Sequence, residues 1–182
     1  MEGLLLIDIQ NDYFPGGKME LFNSEAAGDK ARLLLDKFRK KALPVIHIQH
    51  ISLEPETGFF LPDTVGVAIN ERVKPLAGET IIQKHYPNAF RETSLLHNLR
   101  AGEIDKLVIA GMMTHMCVDT TVRAACDLEF ACILAHDACA TLDLSFAGRA
   151  VTAQDVQGAY MAALDGVFAK SSDAETICRE LD

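Results

Sequence analysis

An aspartate, a lysine and a cysteine, each at the end of a short apolar run or just beyond it, are the residues of this 182-residue chain best placed to act together on a substrate. Asp8 follows the run Gly3 to Ile7, and Lys84 ends the run Glu79 to Lys84. Cys117 lies beyond Lys106 to Gly111, in the turn Gly111-Met112-Met113-Thr114-His115-Met116-Cys117 where a helix is expected to begin. A thiol is a poor nucleophile until deprotonated, and a helix N-terminus with a nearby ammonium lowers its pKa from roughly 8.5 to about 3.5–7.5. Lys84 would supply that field. Asp8 would take the thiol proton and return it to a leaving group, while backbone N–H groups of the turn receive a developing oxyanion. The expected chemistry is nucleophilic attack on a carbonyl.

Taken singly, each residue has a plainer reading. A lone aspartate after a strand caps a helix or a turn, and a lysine there is more often a solvated cation. Cys117 shares a helical face with Val118, Val122 and Cys126, as a buried cysteine would. Their joint placement lifts all three, because open parallel α/β sheets bind ligands beyond the carboxyl ends of their strands.

The elements that must hold them follow an α/β rhythm. Strands are expected at Gly3 to Ile7, Val45 to His50, Glu79 to Lys84, Lys106 to Gly111 and Phe130 to His136, each apolar as parallel strands covered on both faces are. A sixth is expected at Val167 to Ala169. Helices are expected at Ser24 to Leu43, stopped by Pro44, and at Glu92 to Arg100, Met116 to Leu128, Ser145 to Leu164 and Thr176 to Leu181. Gln10 to Asn23 and Ile51 to Ala68 are long connections, of a kind that usually covers a site.

Composition bounds the partners. Seventeen basic against 26 acidic residues, a net charge of −9, argue against nucleic acid and anionic membrane. The five cysteines are odd in number and lack a CxxC pair, so a reducing cytoplasm is expected. No apolar stretch approaches the roughly 20 residues of a membrane span, and Met1-Glu2-Gly3 opens into a short apolar run without a basic n-region or cleavage site, so neither export nor membrane insertion is expected. A small-molecule substrate and a single domain over residues 1–182 are the expectation.

The segments Leu5-Leu6-Ile7-Asp8-Ile9-Gln10-Asn11-Asp12-Tyr13-Phe14, Lys84 with Phe90 and Thr93, Gly111 to Val118 leading to Thr121 and Ala124, and Ala135-His136-Asp137-Ala138-Cys139-Ala140-Thr141 together resemble the isochorismatase-like cysteine hydrolases. That family includes nicotinamidases and carbamoyl amidases. The resemblance implies a single α/β domain with a mostly parallel six-stranded sheet of order 3-2-1-4-5-6 and helices on both faces. It implies Asp8 as base, Lys84 as support for the anionic nucleophile and Cys117 as attacking thiol, with no cofactor. It further implies a cis peptide joining Met112 to Met113, the amides of Met113 and Cys117 as oxyanion hole, and assembly into dimers, tetramers or larger rings. Tyr13, Phe14, Phe90 and His115, by adjacency to the triad, are the expected substrate-binding residues.

Departures narrow the reading. Metal-binding nicotinamidases carry an Asp-x-His motif and a further downstream His after strand two, but the stretch here is His47-Ile48-Gln49-His50-Ile51-Ser52. His47 and His50 project to opposite faces of a strand and cannot readily chelate one ion, so each is read as a buried or hydrogen-bonded histidine. Isochorismate-cleaving relatives lack the cysteine, which shifts the expectation to amide, carbamoyl or other C–N substrates. A haloacid-dehalogenase phosphatase would need an acid at Gln10. A receiver module would need paired acids before strand one ends, and a dinucleotide site would need a GxGxxG after it. A catalytically silent or ligand-binding scaffold of the same fold is the alternative, with isochorismate or other vinyl-ether hydrolysis behind it.

Overall fold

The computed structural model describes residues 1–181. In chain order these form β1 (Glu2–Ile7), α1 (Ser24–Lys40), β2 (Val45–His50), β3 (Thr80–Lys84), α2 (Leu95–Ala101), β4 (Lys106–Met112), α3 (Asp119–Asp127), β5 (Ala131–Ala140), β6 (Leu144–Phe146), β7 (Arg149–Val151), α4 (Ala153–Leu164), β8 (Lys170–Ser172) and α5 (Ala174–Glu180). The main sheet is six-stranded and parallel, in the order β3-β2-β1-β4-β5-β8. Its sixth strand is thus the one expected near residue 167, displaced to Lys170–Ser172.

Alternation along the central strands builds a core on each face. Leu4 and Leu6 of β1, Val108 and Ala110 of β4, and Ile133 of β5 face α1 and α5, where Leu34, Leu35, Phe38 and Ile177 are buried. Leu5 and Ile7, with Ile46, Ile48, Ile82 and Ile109, meet Leu95 and Leu99 of α2 and Val122 of α3 on the other face. Burial on both sides is why these strands read as unbroken apolar runs. Among the described residues no helix is long and apolar enough to cross a membrane.

The expected helix Ser145 to Leu164 is corrected. Its first part is the antiparallel hairpin β6–β7, which turns through Ala147 and Gly148 at φ 50° and 77°. The helix begins only at Ala153, where the Thr152 hydroxyl accepts from the Asp155 amide. A Gly at a tight turn and a Thr-x-x-Asp cap outweighed the helical propensity of the flanking residues. Helix α1 ends at Lys40 rather than Leu43, because Ala42 turns left-handed at φ 51°.

Below the sheet, at its amino edge, Glu79 joins three elements. It accepts from Arg39 Nε and Nη2 at 2.7 and 2.9 Å, from the Leu76 amide at 2.9 Å, and meets His47 Nε2 at 2.9 Å. Burial alone would raise the Glu79 pKa, but the bonds from Arg39, Leu76 and His47 win and bring it to about 2. A carboxylate held below its unfolded value stabilises the fold above the ordinary carboxylate range, and the gain fades as pH falls towards the folded value. Glu79→Gln is therefore expected to cost about 1–3 kcal/mol at neutral pH. In paired thermal melts, the gap to the wild type should close between about pH 4.5 and about pH 2.

Candidate active site

Register delivers the site. Parallel pairing sets Ile7 beside Ile48 and Gly111, and sets His50 beside Lys84, so the ends of β1, β2, β3 and β4 share one rim. Strand alternation would send Asp8 towards α1. Instead it adopts φ 51°, a left-handed conformation that aspartate tolerates better than most residues and that breaks the alternation. Gly111 is required beside it: at φ 153° its hypothetical Cβ would stand 2.2 Å from the Ile7 carbonyl oxygen. The Met112–Met113 peptide is cis. Thr114–Val118 then makes a π-helical turn that carries Cys117 into α3.

The rim closes around an ammonium. Lys84 Nζ lies 2.7 Å from Asp8 Oδ2, 2.9 Å from His50 Nδ1, 3.0 Å from the Tyr86 carbonyl oxygen and 3.2 Å from Cys117 Sγ. Asp8, Lys84 and Cys117 are 0%, 1% and 4% exposed. Asp8 Oδ2 is held by the Lys84 ammonium in a buried ion pair, and Asp8 Oδ1 has no hydrogen-bond donor. A buried acceptor without a donor is costly in a fold and is a mark of function.

Burial penalises each charge here, and the charges answer one another. Burial alone would favour a neutral Lys84, but Asp8 and Cys117 outweigh it and raise the lysine pKa. Burial pushes the Cys117 thiol up, Asp8 adds to this, and Lys84 only partly opposes it. The sequence expectation of a thiol lowered by helix and lysine is corrected: the dry surroundings and the adjacent carboxylate dominate. With Asp8 ionised, Lys84 protonated and the thiol neutral, the site carries no net charge. Moving the thiol proton to Asp8 leaves it uncharged still.

The two long connections cover the rim. Tyr13 is buried with its ring 4.6 Å from that of Phe60, and Phe60 lies 5.9 Å from the His50 ring. Asp12 accepts from the Phe60 amide at 2.7 Å and from the Lys18 amide at 3.1 Å, tying the loops together. Gly66 permits this, since a Cβ there would lie 2.1 Å from Asp12 Oδ1.

The profile of the Isochorismatase domain matches residues 2–170. This chain belongs to the isochorismatase family. The isochorismatase family protein YddQ of Bacillus subtilis is 47% identical over 176 residues, 97% of this chain and 98% of that one. A crystal structure of an isochorismatase hydrolase from Oleispira antarctica superposes with a TM-score of 0.95 at 46% identity, covering 98% of this chain and 96% of the other. A nicotinamidase of Arabidopsis thaliana is 26% identical over 152 residues, 77% of this chain and 73% of its own.

Within this isochorismatase-family fold, the other expected binding residues separate. Tyr13 stands at the site, where its phenol is held well above its ordinary pKa by burial and then by Cys117 and Asp8. His115 stays in the Cys117 turn, but its Nδ1 engages Thr141 Oγ1 at 2.6 Å and its ring faces Tyr160. Phe14 instead packs against Gly28 of α1 under the Arg72 guanidinium, and Phe90 stacks on Phe130.

The sequence reading missed His50 as a site residue. It does face the opposite way from His47, which is engaged with Glu79. Its Nδ1, however, lies 3.9 Å from Asp8 Oδ2 and 4.0 Å from Cys117 Sγ. The available signal was position: His50 closes strand two as Asp8 and Lys84 close their strands. One donor atom each from Asp8, His50 and Cys117 lie within 4.8 Å of one another, a set of metal-ligand types. The Lys84 ammonium contacts all three, so a divalent cation there would meet its repulsion.

Proposed function

We propose that this protein hydrolyses a small-molecule amide or related C–N bond, with Asp8 as base, Lys84 as charge support and Cys117 as nucleophile. The observation that carries the reading is the buried ammonium shared between the Asp8 carboxylate and the Cys117 thiol. As Sγ bonds to the substrate carbonyl carbon, the thiol proton passes to Asp8 and Lys84 stabilises the developing sulfur charge. The carbonyl oxygen takes up the electron pair of its π bond and is received by the amides of Met113 and Cys117. The tetrahedral adduct then collapses: the C–N bond breaks, Asp8 gives its proton to the departing nitrogen, and a thioester remains. Water attacks the thioester, Asp8 takes its proton, the C–S bond breaks to release the acid, and the proton returns to sulfur. A vinyl ether, cleaved by protonation, would leave the thiol without a task. The relative named as a nicotinamidase supports an amide substrate.

The test is a panel of primary carboxamides, N-carbamoyl amines and ureides, assayed with wild type and Cys117→Ala. Some member is expected to be cleaved, with Cys117→Ala slower by roughly 10³-fold or more. Intact mass after rapid acid quench should show an acyl adduct that maps to Cys117. Equal rates in the two proteins, or an adduct on another residue, would sink the proposal and leave the scaffold reading.

A further inference from the structure

We infer that His50 is a positioning residue whose bare Nδ1, together with the Tyr86 carbonyl, cradles the Lys84 ammonium so that its third N–H can pass between Asp8 and Cys117. The inference rests on the hydrolase reading above. An ammonium has three N–H groups and no acceptor, yet Lys84 Nζ has four acceptor neighbours. Two are fixed and uncharged: His50 Nδ1 at 2.9 Å and the Tyr86 oxygen at 3.0 Å. The other two, Asp8 Oδ2 and Cys117 Sγ, exchange negative charge when the thiol proton moves. With two N–H groups held by the neutral pair, the remaining one follows that charge over a short swing, without solvent.

His50 is itself built in for this. Gln10, fully buried, donates to the His50 carbonyl at 2.8 Å and accepts from its amide at 2.8 Å. A third bond, from Gln10 to the Val67 carbonyl at 2.8 Å, fixes the clamp to the covering loop. Because Lys84 can only donate, the His50 Nδ1 must accept, which places the ring proton on Nε2. The charged and titratable groups around the ring are Lys84, Asp8 and His85, with the Cys117 thiol beside it. Burial first, then Lys84, lower its pKa to about 4 against the pull of Asp8, so the ring is neutral at working pH.

Packing and acceptor roles separate in two substitutions. His50→Phe keeps a ring against Phe60 but has no acceptor; His50→Asn loses the ring but offers Oδ1 near the place of Nδ1. The readout is the iodoacetamide rate at Cys117 against pH, by peptide mass spectrometry, with thermal melts as the folding check. His50→Phe is expected to react about tenfold more slowly at neutral pH, the effect of about one hydrogen bond to a charged group. It should also lose reactivity at a lower alkaline pH, as Lys84 gives up its proton more readily. His50→Leu should follow it and serves if the phenylalanine variant does not fold. His50→Asn should stay within about threefold of wild type. A phenylalanine profile that superimposes on wild type, or an asparagine variant as impaired as phenylalanine, would overturn the inference. Wild-type Cys117 no more reactive than Cys126 would instead bring down the hydrolase reading beneath it.

Discussion

Asp8→Asn is expected to lower amide turnover by about 10²–10⁴-fold, the usual worth of a general acid–base group, while making Cys117 easier to alkylate at acidic pH. The two readouts part because Asp8 has opposite effects on them. Its charge holds the neighbouring thiol protonated, and Lys84 alone would draw that proton off. With asparagine in place, the buried lysine cation is best neutralised by a thiolate, so the nucleophile is charged at rest. It still fails in turnover, since nothing remains to protonate the departing nitrogen or to deprotonate water. Turnover on the best amide of the panel and iodoacetamide rates at about pH 6 check the pair together. A variant that loses both activities in step would show that the Asp8 charge does not hold the thiol protonated at rest.

Lys84→Met should fail in the opposite sense. Removing one partner of a buried ion pair leaves an uncompensated charge and destabilises by about 3–5 kcal/mol, unless the remaining carboxylate takes a proton. At neutral pH the thermal midpoint should therefore fall. Cys117 loses the one group that favours its thiolate, so alkylation slows together with turnover. Asp8→Asn and Lys84→Met thus move Cys117 reactivity in opposite directions while both abolish catalysis. A trio that merely packed together would not give that pattern.

The strands and the rim residues were legible because burial on both faces turns each central strand into a continuous apolar run. The first polar residue after such a run falls at the sheet edge by necessity. Asp8 is found in that way, Lys84 as the last residue of its strand, and Cys117 in the turn beyond its strand where a helix begins. His50 obeyed the same rule, but it was weighed against His47 as a metal ligand rather than against Asp8 and Lys84 as a rim neighbour, and its pairing with Lys84 depends on strand register. Register between strands 34 residues apart is a tertiary property. Phe14 and Phe90 were placed by adjacency in sequence, which does not give their partners: Gly28 and Arg72 for Phe14, Phe130 for Phe90. The pKa direction of Cys117 was read from its helix and its cation alone. The depth of burial, which decides the sign, comes from Phe60, Tyr13 and loops whose paths no periodicity reveals.

The central claim is that one proton moves between Cys117 and Asp8 inside a site of constant charge. The direct measurement is the iodoacetamide rate of wild-type Cys117 from about pH 5.5 to about pH 8.5, beside a small-molecule thiol. An isolated thiol gains about tenfold per pH unit below its pKa of roughly 8.5. Cys117 is predicted to change by less than about threefold over that range, because its proton goes to Asp8 and not to solvent. A rate that climbs tenfold per unit like the reference thiol would contradict the account, since Cys117 would then titrate alone and Asp8 would not be its base.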